Sequence, residues 1–443
     1  MRKSRAKGSL LPLKKRCLGK RYLEFPTNCL KIDKFQGWIM NTPVYIYDSV
    51  RTPRGKGKSD GSLHIVRPVT LASFALKSLT DRQSIPLERI EDVIFGCVTQ
   101  IGEQGGCIAK AATLYAGLPY SVAAQTLNRF CGSGLEAIGH AAAKIGSGMN
   151  DLIIAGGVES MSRVPMGDDG GPMMSDPDVS SSIGFIPQGI SADLIATLRG
   201  YGRRDLDQWA VRSHQRASHA QEQNYFRKSL IPVKDKLGQS YLSYDEMVRS
   251  STTMESLAKL TPSFSLLGEK YGFDKVAIKK YPELEKIFHL HHAGNSSSMV
   301  DGAAAIYIGS EKIQKELNIT PRARIRSYAI TGSEPTIMLT GLIPATQMAL
   351  KKADLTIDDV DLFEINEAFA SVVLNTMDQL KIPEEKVNVN GGAIALGHPL
   401  GATGAMLVSS LIDELERIDK RIGLVTLCIG GGMGIAMVIE RGS

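Results

Sequence analysis

The chain has 443 residues, 43% of them hydrophobic and 22% charged, with a formal net charge of +6. That length supports two or three domains with their own cores, and no stretch is long and apolar enough to cross a bilayer. Residues 1–39 carry 11 Lys and Arg against 2 Asp and Glu, leaving 41 against 44 for the rest, so the near-neutral body gives no case for a nucleic-acid partner.

Residues 1–40 form a basic extension with no period that would bury a face. They lack the apolar run of a secretory signal. Three readings stand: a protein start at Met40, because MNTPVYIYDSV opens directly on an apolar strand; an organellar targeting segment, because residues 1–23 hold no acid and several arginines; or a basic arm. Pro12 interrupts any helix there.

Beyond it, VYIYDSV (44–50) reads as a strand, Val69–Leu79 as a helix and DVIFGCVT (92–99) as a buried strand. Gly106–Ala116 and Gly132–Gly146 read as helices, and DLIIAGGVES (151–160) as a strand with a glycine break. The order recurs with ARIRSYAIT (323–331) as strand and Ile343–Ala353 as helix, then VDLFEINEAFA (360–370) as strand into helix. Gly401–Arg417 reads as a helix, and GLVTLCIGGG and MGIAMVIER as two closing strands. The alternation predicts an α/β fold with a largely parallel sheet covered on both faces. The recurrence predicts a duplicated domain, with halves at 41–161 plus 293–310 and at 311–443. Between them, 162–292 reads as an inserted, partly helical subdomain, with a polar helix around Asp205–Gln223, of the kind that shapes a substrate pocket.

Four segments carry chemistry. In NRFCGSG (128–134), Cys131 precedes three small residues and a helix, whose N-terminus favours thiolate; a small buried cysteine beside a glycine-rich turn is the plainer alternative. In GHPLGATGA (397–405), His398 sits between glycine and proline, a fixed loop that suits a general base or a histidine satisfied by backbone. In CIGGGMG (428–434), Cys428 ends an apolar strand. No βαβ unit follows those glycines, so a dinucleotide fingerprint is weak. In DLFEINEAFA, Asn366 and Glu367 stand where strand gives way to helix, as site residues or as a cap. Six cysteines lie at positions 17, 29, 97, 107, 131 and 428 without a CxxC pair, which points to free thiols in a reducing compartment.

These segments, together with VRTPRGK (50–56), GGVESMS (156–162) and AGNSSSMVDGAAA (293–305), closely resemble the thiolase family from about Pro43 to Arg441. The resemblance implies a layered α-β-α-β-α architecture and transfer of an acyl group from a 3-ketoacyl-CoA to coenzyme A, releasing acetyl-CoA. Cys131 would hold the acyl group. His398 would activate it and bind the thioester oxygen, and Cys428 would exchange the enolate proton. Asn366 would hold a water completing one oxyanion hole with His398, and the backbone N–H groups of Cys131 and Gly430 would form the other. Ser297 would touch the pantetheine arm. Coenzyme A would be a co-substrate, with no tightly bound cofactor and no metal. A homodimer or homotetramer in the cytoplasm is implied.

Two departures stand out. FHLHHAGNSS (288–297) reads as a strand placing His289 and His291 on one face and His292 on the other; without further ligand motifs this is not taken as a zinc site. The long insertion at about 267–288 resembles degradative bacterial forms and β-chains of trifunctional fatty-acid oxidation complexes. It would tune chain length or dock a hydratase/dehydrogenase α-chain. The rivals are a ketoacyl synthase-like condensing enzyme, which pairs its cysteine with two histidines or with His and Asn, and a non-catalytic acyl-CoA or lipid carrier.

Overall fold

The computed structural model describes residues 42–83 and 85–442. The readings of the basic extension and of Cys17 and Cys29 fall outside the described residues.

The first half contributes β1 (Val44–Arg51), α1 (Pro68–Arg82), β2 (Asp92–Gly96), α2 (Ile108–Tyr115), β3 (Ala123–Leu127), α3 (Ser133–Gly146) and β4 (Leu152–Ser160). The inserted stretch contains α4 (Gln188–Arg199), α5 (Arg203–Glu222) and α6 (Phe273–Lys280), and β5 (Val300–Ser310) follows it. The second half contributes β6 (Ala323–Gly332), α7 (Leu342–Ala353), β7 (Leu362–Ile365), α8 (Ala370–Leu380), α9 (Thr403–Arg417), β8 (Ile422–Ile429) and β9 (Met433–Arg441).

The strands of the first half lie in the order β3-β2-β4-β5-β1. Those of the second lie as β7-β8-β9-β6, with an isolated parallel bridge from Phe363 to Val387 standing where a strand matching β3 would be. Pair directions repeat as well. β2 runs parallel to β3 and β4, as β7 does to β8 and to the Val387 bridge. β5 is antiparallel to β4 and β1, as β9 is to β8 and β6. The duplication expected from sequence is therefore present in strand order and direction, with a single bridge standing in for the counterpart of β3. The largely parallel sheet is not: the last strand of each half turns back antiparallel. In the second half the reversal is made at Gly431 and Gly432, whose φ of +77° and +83° suits glycine. β1 meets β6 over Val44–Ile46, joining both halves into one sheet.

Burial on both faces explains the apolar runs. In β2, Val93 and Phe95 pack with Leu71, Leu76 and Ile108 of α1 and α2. Ile94 between them points the other way, into a core with Leu135 and Ile138 of α3 and Leu407 and Leu411 of α9. In β8, Val425 joins that central core, while Leu424 packs with α7 and α8 through Leu342, Ala349 and Val372. Helices, the first half's strands, helices, the second half's strands and helices succeed one another, with α3 and α9 in the middle. Residues 288–292 form no strand; they run as an irregular segment between α6 and β5. β4 is one continuous strand through both of its glycines. Among the described residues no helix is long and apolar enough to cross a membrane.

Candidate active site

Cys131 stands between β3 and α3, on a tight turn. Phe130 adopts φ +42°, a conformation that a bulky residue takes only when its surroundings force it. Here Asn128 Oδ1 accepts from Phe130 N at 2.8 Å, and Ser133 Oγ donates to Phe130 O at 2.7 Å. His398 occupies the corresponding place in the second half, between the Val387 bridge and α9. The two turns meet because glycines let the helix starts touch. A Cβ on Gly404 would lie 2.2 Å from Leu135 N, and one on Gly134 would lie 2.9 Å from Gly401 O. Glu159, at the end of β4, ties the turns further: its buried carboxylate accepts from Val98 N and Gly401 N, both at 2.9 Å.

His398 is held on every side. Its N–H donates to Ser298 O at 2.9 Å, and its Nδ1 lies 2.6 Å from Thr403 Oγ1. Thr403 Oγ1 donates to Pro399 O at 2.9 Å. The hydroxyl hydrogen is therefore committed, and its lone pair faces the ring. That assigns the proton to Nδ1 and leaves Nε2 as a base. Nε2 lies 3.3 Å from Asn366 Nδ2. Burial, reinforced by the Arg54 guanidinium, pushes the imidazole pKa down to about 3, so the ring is neutral.

Asn366 directly follows β7, its N–H bonded to Thr426 O at 3.0 Å. Its Oδ1 is buried with no hydrogen-bond partner among the described residues, an acceptor free to hold a small polar group. α8 begins only at Ala370, so Asn366 is no helix cap. Its neighbour Glu367 is structural: the carboxylate accepts from Trp209 Nε1 at 3.0 Å, Ser213 Oγ at 2.7 Å and Asn388 Nδ2 at 2.9 Å.

Cys428 is fully buried near the end of β8. Burial pushes its thiol pKa well up, and the neighbouring Cys131 adds to this. The register pairs Gly96 with Gly157 in the first half and Ile365 with Thr426 in the second; two residues on come Glu159 and Cys428. The same topological position thus carries a clamp in one half and a thiol in the other. For Cys131, the low thiol pKa expected from the helix start is not realised. Burial pushes it up to about 11, while the N–H groups of Gly430 and Cys131 and the Gln188 side chain pull the other way. The resting pair is thiol and neutral imidazole, which is general-base chemistry. Ser297 lies close by, its N–H donating to Ala368 O at 2.9 Å.

The thiolase N-terminal domain model matches residues 44–270 and the thiolase C-terminal domain model residues 319–441. The chain belongs to the thiolase family. It is 42% identical over 408 residues to a 3-ketoacyl-CoA thiolase of Klebsiella pneumoniae, covering 90% of this chain and 99% of that one. A 3-ketoacyl-CoA thiolase of Salmonella typhimurium is 41% identical over 407 residues, with 90% and 99% covered. The crystal structure of human mitochondrial 3-ketoacyl-CoA thiolase superposes with a TM-score of 0.79 at 33% identity, covering 91% of this chain and all of that one.

Within this thiolase, the histidines before AGNSS serve as anchors. His289 reaches Asp193 at 2.9 Å and Asp274 at 3.0 Å. His291 reaches Asp193 at 2.7 Å, and His292 reaches Asp207 at 2.8 Å. The segment that carries Ser297 and Ser298 is thereby pinned to α4 and α5. Sequence reasoning missed Thr403, Glu159, Gln188 and Arg54. A lone acid in the apolar run of β4 was the one visible signal, for Glu159.

Proposed function

We propose that this chain cleaves 3-ketoacyl-CoA thiolytically to acetyl-CoA and a shortened acyl-CoA, and runs the reverse Claisen condensation. His398 takes the Cys131 proton, and the thiolate attacks the 3-keto carbon. The carbon–carbon bond breaks, Cys428 protonates the departing acetyl-CoA enolate, and the proton held by His398 then passes to Cys428, restoring the thiol and the neutral base. Coenzyme A then attacks the acyl-Cys131 thioester, freeing the cysteine. The pair of thioester oxyanions is met by His398 with an Asn366-held water, and by the N–H groups of Cys131 and Gly430. Ser297 contacts the pantetheine arm. Removing one such donor typically costs about 100–1000-fold in rate.

The observation that carries the reading is the meeting of the Cys131 and His398 turns from opposite halves, with the Asn366 amide 3.3 Å from the imidazole. Cys428 in the second proton-transfer position favours a thiolase over a ketoacyl synthase-like enzyme. CoA-dependent loss of acetoacetyl-CoA absorbance tests it; no turnover with any 3-ketoacyl-CoA, short or long, would leave the carrier reading.

The same proposal covers coenzyme A as co-substrate without a tightly bound cofactor, and a cytoplasmic location. The strand order supports drawing the halves at 41–161 with 293–310 and at 311–443. The unpaired edge of β3, with Leu114, Tyr115 and Tyr120 exposed in the preceding segment, supports a second copy as partner, as homodimer or homotetramer. A hydratase/dehydrogenase α-chain would dock on the insertion; full activity without co-purification of such a chain would count against it.

A further inference from the structure

Gln188 opens α4, between Pro187 and Gly189. Its amide reaches back to the nucleophile. Nε2 sits 3.0 Å from the point where a Cβ on Gly430 would stand, with the Phe130 ring 3.7 Å from that same point. A side chain at position 430 would press directly on it. The amide is one of three groups that draw charge onto the Cys131 sulfur, and among the described residues it has no other hydrogen-bonding partner.

The helix that carries it is firmly held. A Cβ on Gly189 would lie 2.2 Å from the Phe264 ring. Ser191 Oγ donates to Thr336 O at 2.8 Å, and Ser371 Oγ donates to Ala192 O at 3.0 Å. Asp193 receives His289 and His291. The amide is therefore delivered by a rigid element, as preorganised electrostatic stabilisation requires.

We propose that Gln188 is a further catalytic residue, whose side-chain N–H stabilises the Cys131 thiolate when that sulfur is the leaving group. The argument rests on the acyl-transfer reading above. During deacylation the CoA sulfur bonds to the acyl carbon and the carbon–Sγ bond breaks, leaving its electron pair on Sγ. The CoA thiol proton, taken by His398, returns to Sγ. The N–H groups of Gly430 and Cys131 are then engaged by the thioester oxygen, so the Gln188 amide is the donor left for sulfur.

The test uses the full chain and the near-isosteric variant Gln188→Met, with Gln188→Glu as the second. Iodoacetamide alkylation of the Cys131 peptide, followed by mass spectrometry across a pH series, reads the thiolate without turnover. Gln188→Met is expected to move the profile up by about one pH unit, a roughly tenfold slower alkylation on its acid side. Gln188→Glu should move it further. Exchange of labelled CoA into acetyl-CoA should fall about tenfold in Gln188→Met, in line with that shift. Superimposable alkylation profiles, or a shifted profile with undiminished exchange, would overturn the inference. Absence of exchange in the unmodified protein would instead overturn the acyl-transfer reading, while a shifted alkylation profile would still support the Gln188–sulfur contact.

Discussion

His398 Nδ1 faces Thr403 Oγ1 at 2.6 Å, and the hydroxyl is committed as a donor to Pro399 O. One side chain thus decides which ring nitrogen is the base. Thr403→Val keeps the shape and removes the acceptor. We expect kcat for acetoacetyl-CoA thiolysis to fall by about 100-fold, the scale of general-base catalysis, with KM little changed. Thr403→Ser should recover most of the loss. Equal kcat in Thr403→Val and the parent chain would show that the tautomer is set elsewhere.

The two buried thiols should separate cleanly. Cys131→Ala is expected to abolish the acyl-enzyme mass adduct. Cys428→Ala should still acylate from a simple acyl-CoA yet lose thiolysis, because only the enolate proton needs it. Retention of full thiolysis in Cys428→Ala would reassign the acid.

His398, lowered to about 3 by burial and by Arg54, stays neutral far below the pH where a free imidazole protonates. No acid limb near pH 6.5 is therefore expected in kcat/KM between pH 8 and 5. The linked stability has a definite sign. The unfolded chain takes up the proton near 6.5, so this contribution is complete above that pH and drains away as pH falls toward 3. A kcat/KM titration centred on 6.5 and lost with His398 would contradict the neutral-base assignment.

His289 has the opposite sign. Burial pushes its imidazole down, but the Asp193 and Asp274 carboxylates override this and hold it at about 9. Its stabilisation is present below pH 6.5 and is lost as pH rises through 9. His289→Gln leaves buried carboxylate oxygens short of a partner and should cost about 1–3 kcal/mol near neutral pH. Thermal unfolding should show the gap between variant and parent closing above pH 9. A gap that stays constant with pH would mean that the imidazole is held uncharged.

Gly404→Ala places a methyl 2.2 Å from Leu135 N, where backbone meets backbone and nothing can yield. A loss of about 1–3 kcal/mol in stability is expected from overpacking. Activity should fall with it, since the shift would move the Cys131 turn from the His398 turn. Unchanged melting and turnover would show that the two turns tolerate separation.

Much of this was legible in the residues. Val93, Ile94 and Phe95 announce a strand buried on both faces, and the recurring order of elements announces the duplication. Cys131, His398, Asn366 and Cys428 stand on glycine-rich or strand-end positions that the chain marks plainly. Strand direction was not legible, because an apolar run such as MGIAMVIER looks the same in either sense. The strand foreseen at 288–292 failed because alternation there serves carboxylate partners, His289 and His291 toward Asp193 and His292 toward Asp207, instead of a ladder. The thiol pKa failed because a helix start was weighed without the desolvation that accompanies full burial. Thr403 and Gln188 were invisible, since each acts across space on a residue whose neighbourhood only the fold defines.

The Cys131 and His398 turns interlock at Gly134, Gly401 and Gly404, and the Cys428 strand comes later still in the chain. A ribosome therefore releases the nucleophile long before its base and its acid. Until β8 is threaded beside β7, the emerging polypeptide carries an ordinary, unassisted thiol. Reactivity arrives when the second half docks, and a chain cut short before β8 would be inert toward thioesters.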